Sequence, residues 1–144
     1  MGKKYLKKIK ITPLKIMRVS KGNILKVLQK KELKNWKFSE AYFSKIKYKK
    51  IKAWKFHSKM TLNLVVPCGK VKFVFYSEKD KIFKIIEIGE KKYSRITVPP
   101  KIWFGFQGIS KNESLILNIT NIPHDKKEIL RKKINQIKFN WKQQ

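Results

Sequence analysis

A pair of prolines limits how this chain can run. Arg95-Ile-Thr-Val98 reads as a short strand, and Pro99-Pro100 must end or turn it, because proline has no N–H to give a sheet ladder. An aromatic, glycine-spaced return follows in Trp103, Phe104, Gly105, Phe106 and Gly108, and then a fully apolar strand, Ser114-Leu-Ile-Leu-Asn-Ile-Thr120. This is a strand–turn–strand corner, and the same grammar recurs upstream. Glu40 to Tyr48 and Ile51 to His57 alternate with period two, Met60 to Val66 is a nearly continuous apolar run, and Lys70 to Tyr76 alternates cleanly. Ile82 to Ile88 is a further strand. Lys49-Lys50, Pro67-Cys-Gly69, Ser77 to Lys81 and Gly89 to Lys92 mark the turns between them. Short strands at such spacing predict an all-β sandwich or barrel, not an alternating α/β protein.

Both ends are less regular. Lys8 to Met17 reads as an opening edge strand, where Pro13 is tolerable. Lys21-Gly22-Asn23 is a turn. Ile24 to Leu28 reads as a strand, although Leu25, Leu28 and Leu33 could equally form one short helical face. Asp125 with Glu128 has the spacing of a capping box, and Ile129, Leu130 and Ile134 give a short C-terminal helical stripe. Ile137 to Trp141 alternates and could add back to the sheet. No repeat or linker divides the chain, so residues 1–144 read as a single domain.

The formal charge of +28 would suit nucleic acid or an anionic membrane. Of the 37 basic residues, however, only Arg18, Arg95 and Arg131 are arginine, and lysine is the poorer bidentate reader of phosphate or guanine. The lysines are spread along the whole chain, so a generic basic surface is expected and nucleic acid is not; a basic nucleic-acid-binding β-barrel stays as an alternative. Cys68 is the single cysteine, which excludes an internal disulfide, fits a reducing cytoplasm and suggests a small buried apolar residue. The N-terminal stretch has no continuous apolar region to act as a secretory signal, and no apolar run is long enough to span a bilayer.

Several stretches together resemble one known family. Val98-Pro-Pro-Lys-Ile-Trp-Phe-Gly-Phe-Gln-Gly108 resembles the Ile-Pro-Pro-Gly-x-x-His-Gly-Phe segment of the dTDP-4-dehydrorhamnose 3,5-epimerases. Ile51-Lys-Ala-Trp-Lys-Phe-His57 resembles their Leu-Arg-Gly-Leu-His-Tyr-Gln, or the Gly-Trp-His-Leu-His variant of their shorter relatives. Val65 to Val74 is similar to the following strand–Gly–strand. Asn118 to Ile129 resembles the late Pro-His-Asp-Pro-x-Glu-Ile segment of those relatives, and Ile137 to Trp141 their closing Ile-x-x-x-Trp. The matches run in the same order over most of the chain.

The resemblance implies a double-stranded β-helix, the cupin or jelly-roll barrel, usually a homodimer. It implies a nucleotide-linked 4-keto-6-deoxy sugar in the barrel and no cofactor. The chemistry would be removal and return of a proton beside the ketone, in surface-polysaccharide biosynthesis. Such a reaction needs a base, an opposing acid and a donor for the developing oxyanion. In that register Lys55 stands where the family has its catalytic His, and Ile134 where it has the orienting carboxylate. The oxyanion lysine falls near Leu62, the opposing tyrosine near Leu117 or Asn118, and the His of the Pro-Pro corner at Phe104.

Lys55 and His57 are two apart on a strand and project from one face, so they are the expected catalytic pair. A desolvated lysine can act as a base, and histidine titrates near neutrality. The same two residues could instead bind a phosphate and a sugar hydroxyl, which leaves a non-catalytic sugar-nucleotide-binding or partner-stabilising cupin as an alternative. Lys52 aligns with the family's diphosphate-binding Arg. Trp54, Trp103 and Phe104 are candidates to stack on base or sugar, and Asn118 to bind substrate. His124 reads as a structural turn residue. Two histidines in all do not suggest a metal cupin.

Overall fold

The computed structural model describes residues 4–34 and 36–142. Short strands β1 (Lys10–Pro13), β2 (Ile16–Met17) and β3 (Ile24–Leu25) lead into β4 (Glu40–Ile46), β5 (Ile51–His57), β6 (Leu62–Cys68), β7 (Lys70–Ser77) and β8 (Ile82–Gly89). β9 (Ser94–Val98), β10 (Trp103–Gly108), β11 (Ser114–Thr120) and β12 (Ile129–Arg131) complete the set. One antiparallel sheet has the order β1-β9-β6-β11-β4 and the other β12-β5-β10-β7-β8. Pro99-Pro100 carries the chain from one sheet to the other: β9 pairs with β1 and β6, whereas β10 pairs with β5 and β7. This wrapping of strand pairs between two facing sheets is the expected jelly roll.

Period-two patterning decides which side chains meet. Val71, Phe73 and Phe75 of β7 face inward with Phe104 of β10 and Ile86 and Ile88 of β8. Leu62, Leu64 and Val66 of β6 meet them from the other sheet, with Ile96, Val98 and Ile116. Gly105 sits where the β10–β5 register shifts, and a Cβ there would come within 2.6 Å of the Ala53 Cβ. The glycine thus lets the two strands close up beside the site.

The outward face of the second sheet has its own core. Trp54, Val74 and Trp103 are covered by Ile137 and Trp141 of the C-terminal tail. The Trp54 indole N–H donates to the Ile134 carbonyl at 3.2 Å, and the Lys72 ammonium to the Trp141 carbonyl at 3.0 Å. On the first sheet the Arg95 guanidinium, nearly buried, donates to the Val27 carbonyl and to Glu32, fastening the 26–33 segment.

Several local expectations are corrected. The C-terminal helix is absent: Lys126–Glu128 is one 3-10 turn, Ile129–Arg131 is a strand on β5, and Ile134–Gln136 is a second 3-10 turn. Asp125 still caps, accepting from the Lys127 N–H, but the Glu128 side chain is taken by His57. Ile137 to Trp141 does not rejoin a sheet and lies as a strap over indole rings instead. The opening strand is split into β1 and β2, and only Ile24–Leu25 of the next stretch is extended into a pair. Cys68 is exposed, because it ends β6 beside the Gly69 turn. No helix among the described residues is long and apolar enough to cross a membrane.

Phe73 is fully buried between the sheets, so Phe73→Ala removes a ring the neighbours cannot replace. Urea unfolding should register a loss of about 3–5 kcal/mol. A loss under about 1 kcal/mol would mean that the inter-sheet core is not packed as described.

Candidate active site

β5 delivers the site. Its cross-strand partners on β10 are Phe104 for Lys55 and Trp103 for Phe56, and on β12 they are Ile129 for His57 and Arg131 for Lys55. Directly paired residues share a face of the sheet. Lys55, His57, Phe104 and Arg131 therefore face inward, while Phe56, Trp103 and Leu130 face outward. The shared face expected for Lys55 and His57 is present.

His57 is 4% exposed and its Nδ1 lies 2.5 Å from Glu128 Oε1. Its ring stacks on Phe104, with centroids 6.0 Å apart and planes 19° from parallel. Its carbonyl accepts the Lys101 N–H at 2.7 Å, which pins the strand end. Glu128, also 4% exposed, uses Oε2 to accept the N–H groups of Lys59 at 3.1 Å and Met60 at 3.3 Å. Sequence reasoning missed this carboxylate. It saw Glu128 only as a helix cap and put the orienting position at Ile134, which is 45% exposed. Two signals pointed to it: His57 matches the second His of the Gly-Trp-His-Leu-His variant, and Glu128 the Glu of Pro-His-Asp-Pro-x-Glu-Ile.

The charge state follows from the neighbours. Burial pushes the His57 pKa down; Glu128 opposes this, while Lys55 and His124 add to it. Burial pushes Glu128 up, but the bonds from His57, Lys59 and Met60 outweigh it and leave the carboxyl below its ordinary range. Burial also lowers the Lys55 ammonium, Arg131 adds repulsion, and Glu128 partly offsets both. With the Lys55 and Arg131 cations balancing Glu128, the imidazole stays neutral. Glu128 then takes the Nδ1 proton as a hydrogen bond, and Nε2 keeps its lone pair. That is the tautomer of a general base.

The other expected residues are distributed as follows. Asn118 is buried on β11, taking the Asn63 N–H on Oδ1 and donating from Nδ2 to the Tyr42 hydroxyl at 3.0 Å. Tyr42 is its direct partner on β4 and faces inward with it. Lys52 pairs with Phe106 on the inward face, and its ammonium donates to the Lys45 carbonyl at 2.9 Å. Trp54 and Trp103 pack in the outward core, away from His57. His124 lies in irregular backbone ahead of the Lys126–Glu128 3-10 turn, where its N–H donates to Glu40. Among the described residues no group of three His, Cys, Asp or Glu side chains gathers to hold a metal.

Unfolded, His57 takes a proton near its ordinary value of 6.5; folded, it resists until lower pH. The unfolded chain then binds more protons, so stability falls as pH drops below about 6.5. The Glu128 carboxyl acts in the same direction below its ordinary 4.5. Urea midpoints measured from pH 8 to 4 should decline through this window, and His57→Asn should flatten the first part of the decline. An unchanged profile in His57→Asn would contradict the neutral buried imidazole.

No family model and no curated protein sequence matches the chain. Solved structures do. A dTDP sugar isomerase from Desulfovibrio desulfuricans G20 is 28% identical, covers 94% of this chain and 91% of its own, and superposes with a TM-score of 0.87. A dTDP-4-dehydrorhamnose 3,5-epimerase from Bacillus anthracis, solved with TDP and PPi bound, is 15% identical over 93% and 85% at a TM-score of 0.80. A sugar 3,4-ketoisomerase from Thermoanaerobacterium thermosaccharolyticum, solved with TDP, is 15% identical over 90% and 93% at 0.74. Over nearly its whole length, the chain shares its fold with the dTDP-4-dehydrorhamnose 3,5-epimerases and related sugar isomerases.

Proposed function

We propose that the chain is a nucleotide-sugar isomerase or epimerase, acting on a nucleotide-linked 4-keto-6-deoxy sugar in surface-polysaccharide biosynthesis. The observation that carries this reading is the buried His57–Glu128 pair on the inward face, flanked by Lys55 and Arg131. The likeness to solved dTDP-sugar enzymes supports it.

In this reading His57 Nε2 takes the proton from the carbon beside the C4 ketone. The imidazolium formed is stabilised by Glu128, already hydrogen-bonded at Nδ1. Negative charge develops on the ketone oxygen, where Lys55 is the nearest candidate donor on the same strand. Arg131 and Lys52 supply positive charge for the diphosphate. Where the carbon that loses the proton carries a hydroxyl, passage of that hydroxyl's proton to the C4 oxygen and return of the abstracted proton by His57 to C4 gives an isomer with the ketone moved. Return of a proton to the opposite face of the carbon that lost it gives an epimer. Tyr42 is suited to the second role, because its hydroxyl accepts from Asn118 and still has its own proton to donate.

The second reading is a sugar-nucleotide-binding protein without chemistry. Buried Leu62 and Phe104 favour it, standing where the resemblance calls for a lysine and a histidine. A homodimer in the cytoplasm belongs to either reading. Phe43, 62% exposed, and its neighbour Leu117 on the outward face of the first sheet would suit such an interface. Sedimentation equilibrium should then give twice the 17.2 kDa chain mass.

The two readings part on carbon-acid exchange. The protein is incubated in D2O with dTDP-4-keto-6-deoxyglucose and related keto sugars, and mass gain is followed against a blank. Gain is expected, and His57→Ala should slow it by about 10²–10⁴. Gain that survives His57→Ala but is lost in Lys55→Ala would move the base to the lysine. No gain from a folded protein that still binds the sugar would leave the binding reading.

A further inference from the structure

On the outward face of the second sheet, away from His57, lies a separate cavity of about 200 Å³. Phe56 and Trp103, with ring centroids 5.1 Å apart, form one wall, and Tyr5 lies across from them. The rim is cationic. The Lys79 ammonium lies 5.8 Å from the Tyr5 ring centroid, and Lys101 stands on the Pro-Pro corner. Glu78 takes the Trp103 indole N–H at 3.3 Å and pairs with Lys132, whose ammonium sits 4.7 Å from the Trp103 ring centroid. Bonds from Lys132 and Trp103 hold Glu78 below the ordinary carboxylate range, so it is ionised. Its charge is met by Lys132, and among the described residues neither Lys79 nor Lys101 has an ion-pair partner.

Lys101 on the rim shares a positive φ with Lys49 and Lys81 elsewhere on the surface. Lys101 has φ of 70°, a left-handed conformation a lysine adopts only at a cost of about 1–3 kcal/mol. That conformation accompanies the bond from its N–H to the His57 carbonyl and brings the side chain to the cavity mouth.

We propose that this cavity binds a phosphorylated monosaccharide. Size argues for one ring. Sites for larger organic ligands hold about 300–1,000 Å³, so a nucleotide sugar, with three rings and a diphosphate, does not fit. Aromatic walls suit the C–H faces of a pyranose, and Glu78 has lone pairs left for its hydroxyls. Lys79 and Lys101 supply the two charges of a phosphate dianion. The site is distinct from the one built on His57 and does not depend on the reaction proposed there.

The probe is glucose 1-phosphate, titrated calorimetrically at fixed ionic strength, with glucose and inorganic phosphate as comparators. The double variant Lys79→Ala/Lys101→Gly removes both ammoniums; glycine adopts positive φ freely, so the corner keeps its shape. Lys91→Ala/Lys92→Ala is the charge-matched control elsewhere on the surface. Saturable one-to-one binding is expected, at least tenfold weaker in the cavity variant, unchanged in the control, and at least tenfold tighter than either comparator. Equal weakening in the two variants would reduce the effect to overall charge and overturn the proposal. So would phosphate binding as tightly as the sugar phosphate, loss of binding only in Lys55→Ala, or no saturable binding.

Discussion

Glu128 and His57 are each 4% exposed, so neither can rely on water for its hydrogen bonds. The carboxylate takes Nδ1 of His57 on one oxygen and the N–H groups of Lys59 and Met60 on the other. Its backbone joins in, the Glu128 carbonyl accepting the Ser58 N–H at 2.9 Å. One residue thereby closes the turn after β5, fixes the imidazole and starts the three-residue pairing of β12 on β5. Removing the carboxylate would leave buried donors unpaired, each worth about 1–3 kcal/mol. The placing of Arg131 beside Lys55 rests on the same pairing, so fold and site share this contact.

Around that pair the sheets act as a scaffold with two faces. Inward, the phenylalanines of β7 and β10 make the dry backing on which His57 stacks. Outward, the tryptophans and the C-terminal strap stiffen the same strands from behind. A histidine held between a carboxylate and an aromatic ring loses rotamer freedom, which is what a base fixed in one tautomer requires. The +28 charge adds a positive field that attracts anions.

Much of this was legible in the residues. Period-two runs gave the long strands, and Pro99-Pro100 marked the crossing between sheets, because backbone hydrogen bonding and pleat are local properties. Lys55 and His57 were placed on one face for the same reason. Glu128 was not legible locally: it lies 71 residues from His57, and its spacing from Asp125 is also that of a helix cap. Capping-box spacing and the Ile129, Leu130 and Ile134 stripe made this stretch look helical, whereas an open edge of β5 drew Ile129 and Leu130 into a strand. Trp54 and Trp103 were candidates to stack on base or sugar, and instead pack in the outward core. The register shift at Gly105, together with the apolar tail, sets them outward, and neither could be read from aromatic content.

The central claim is that His57 is a neutral imidazole with its proton on Nδ1, directed at Glu128, and Nε2 open. Nitrogen-15 NMR of histidine-labelled protein reads this directly. At pH 7.5 the His57 signals should have a protonated-type Nδ1 and an unprotonated-type Nε2. A proton on Nε2, or two protonated-type nitrogens at that pH, would contradict the account.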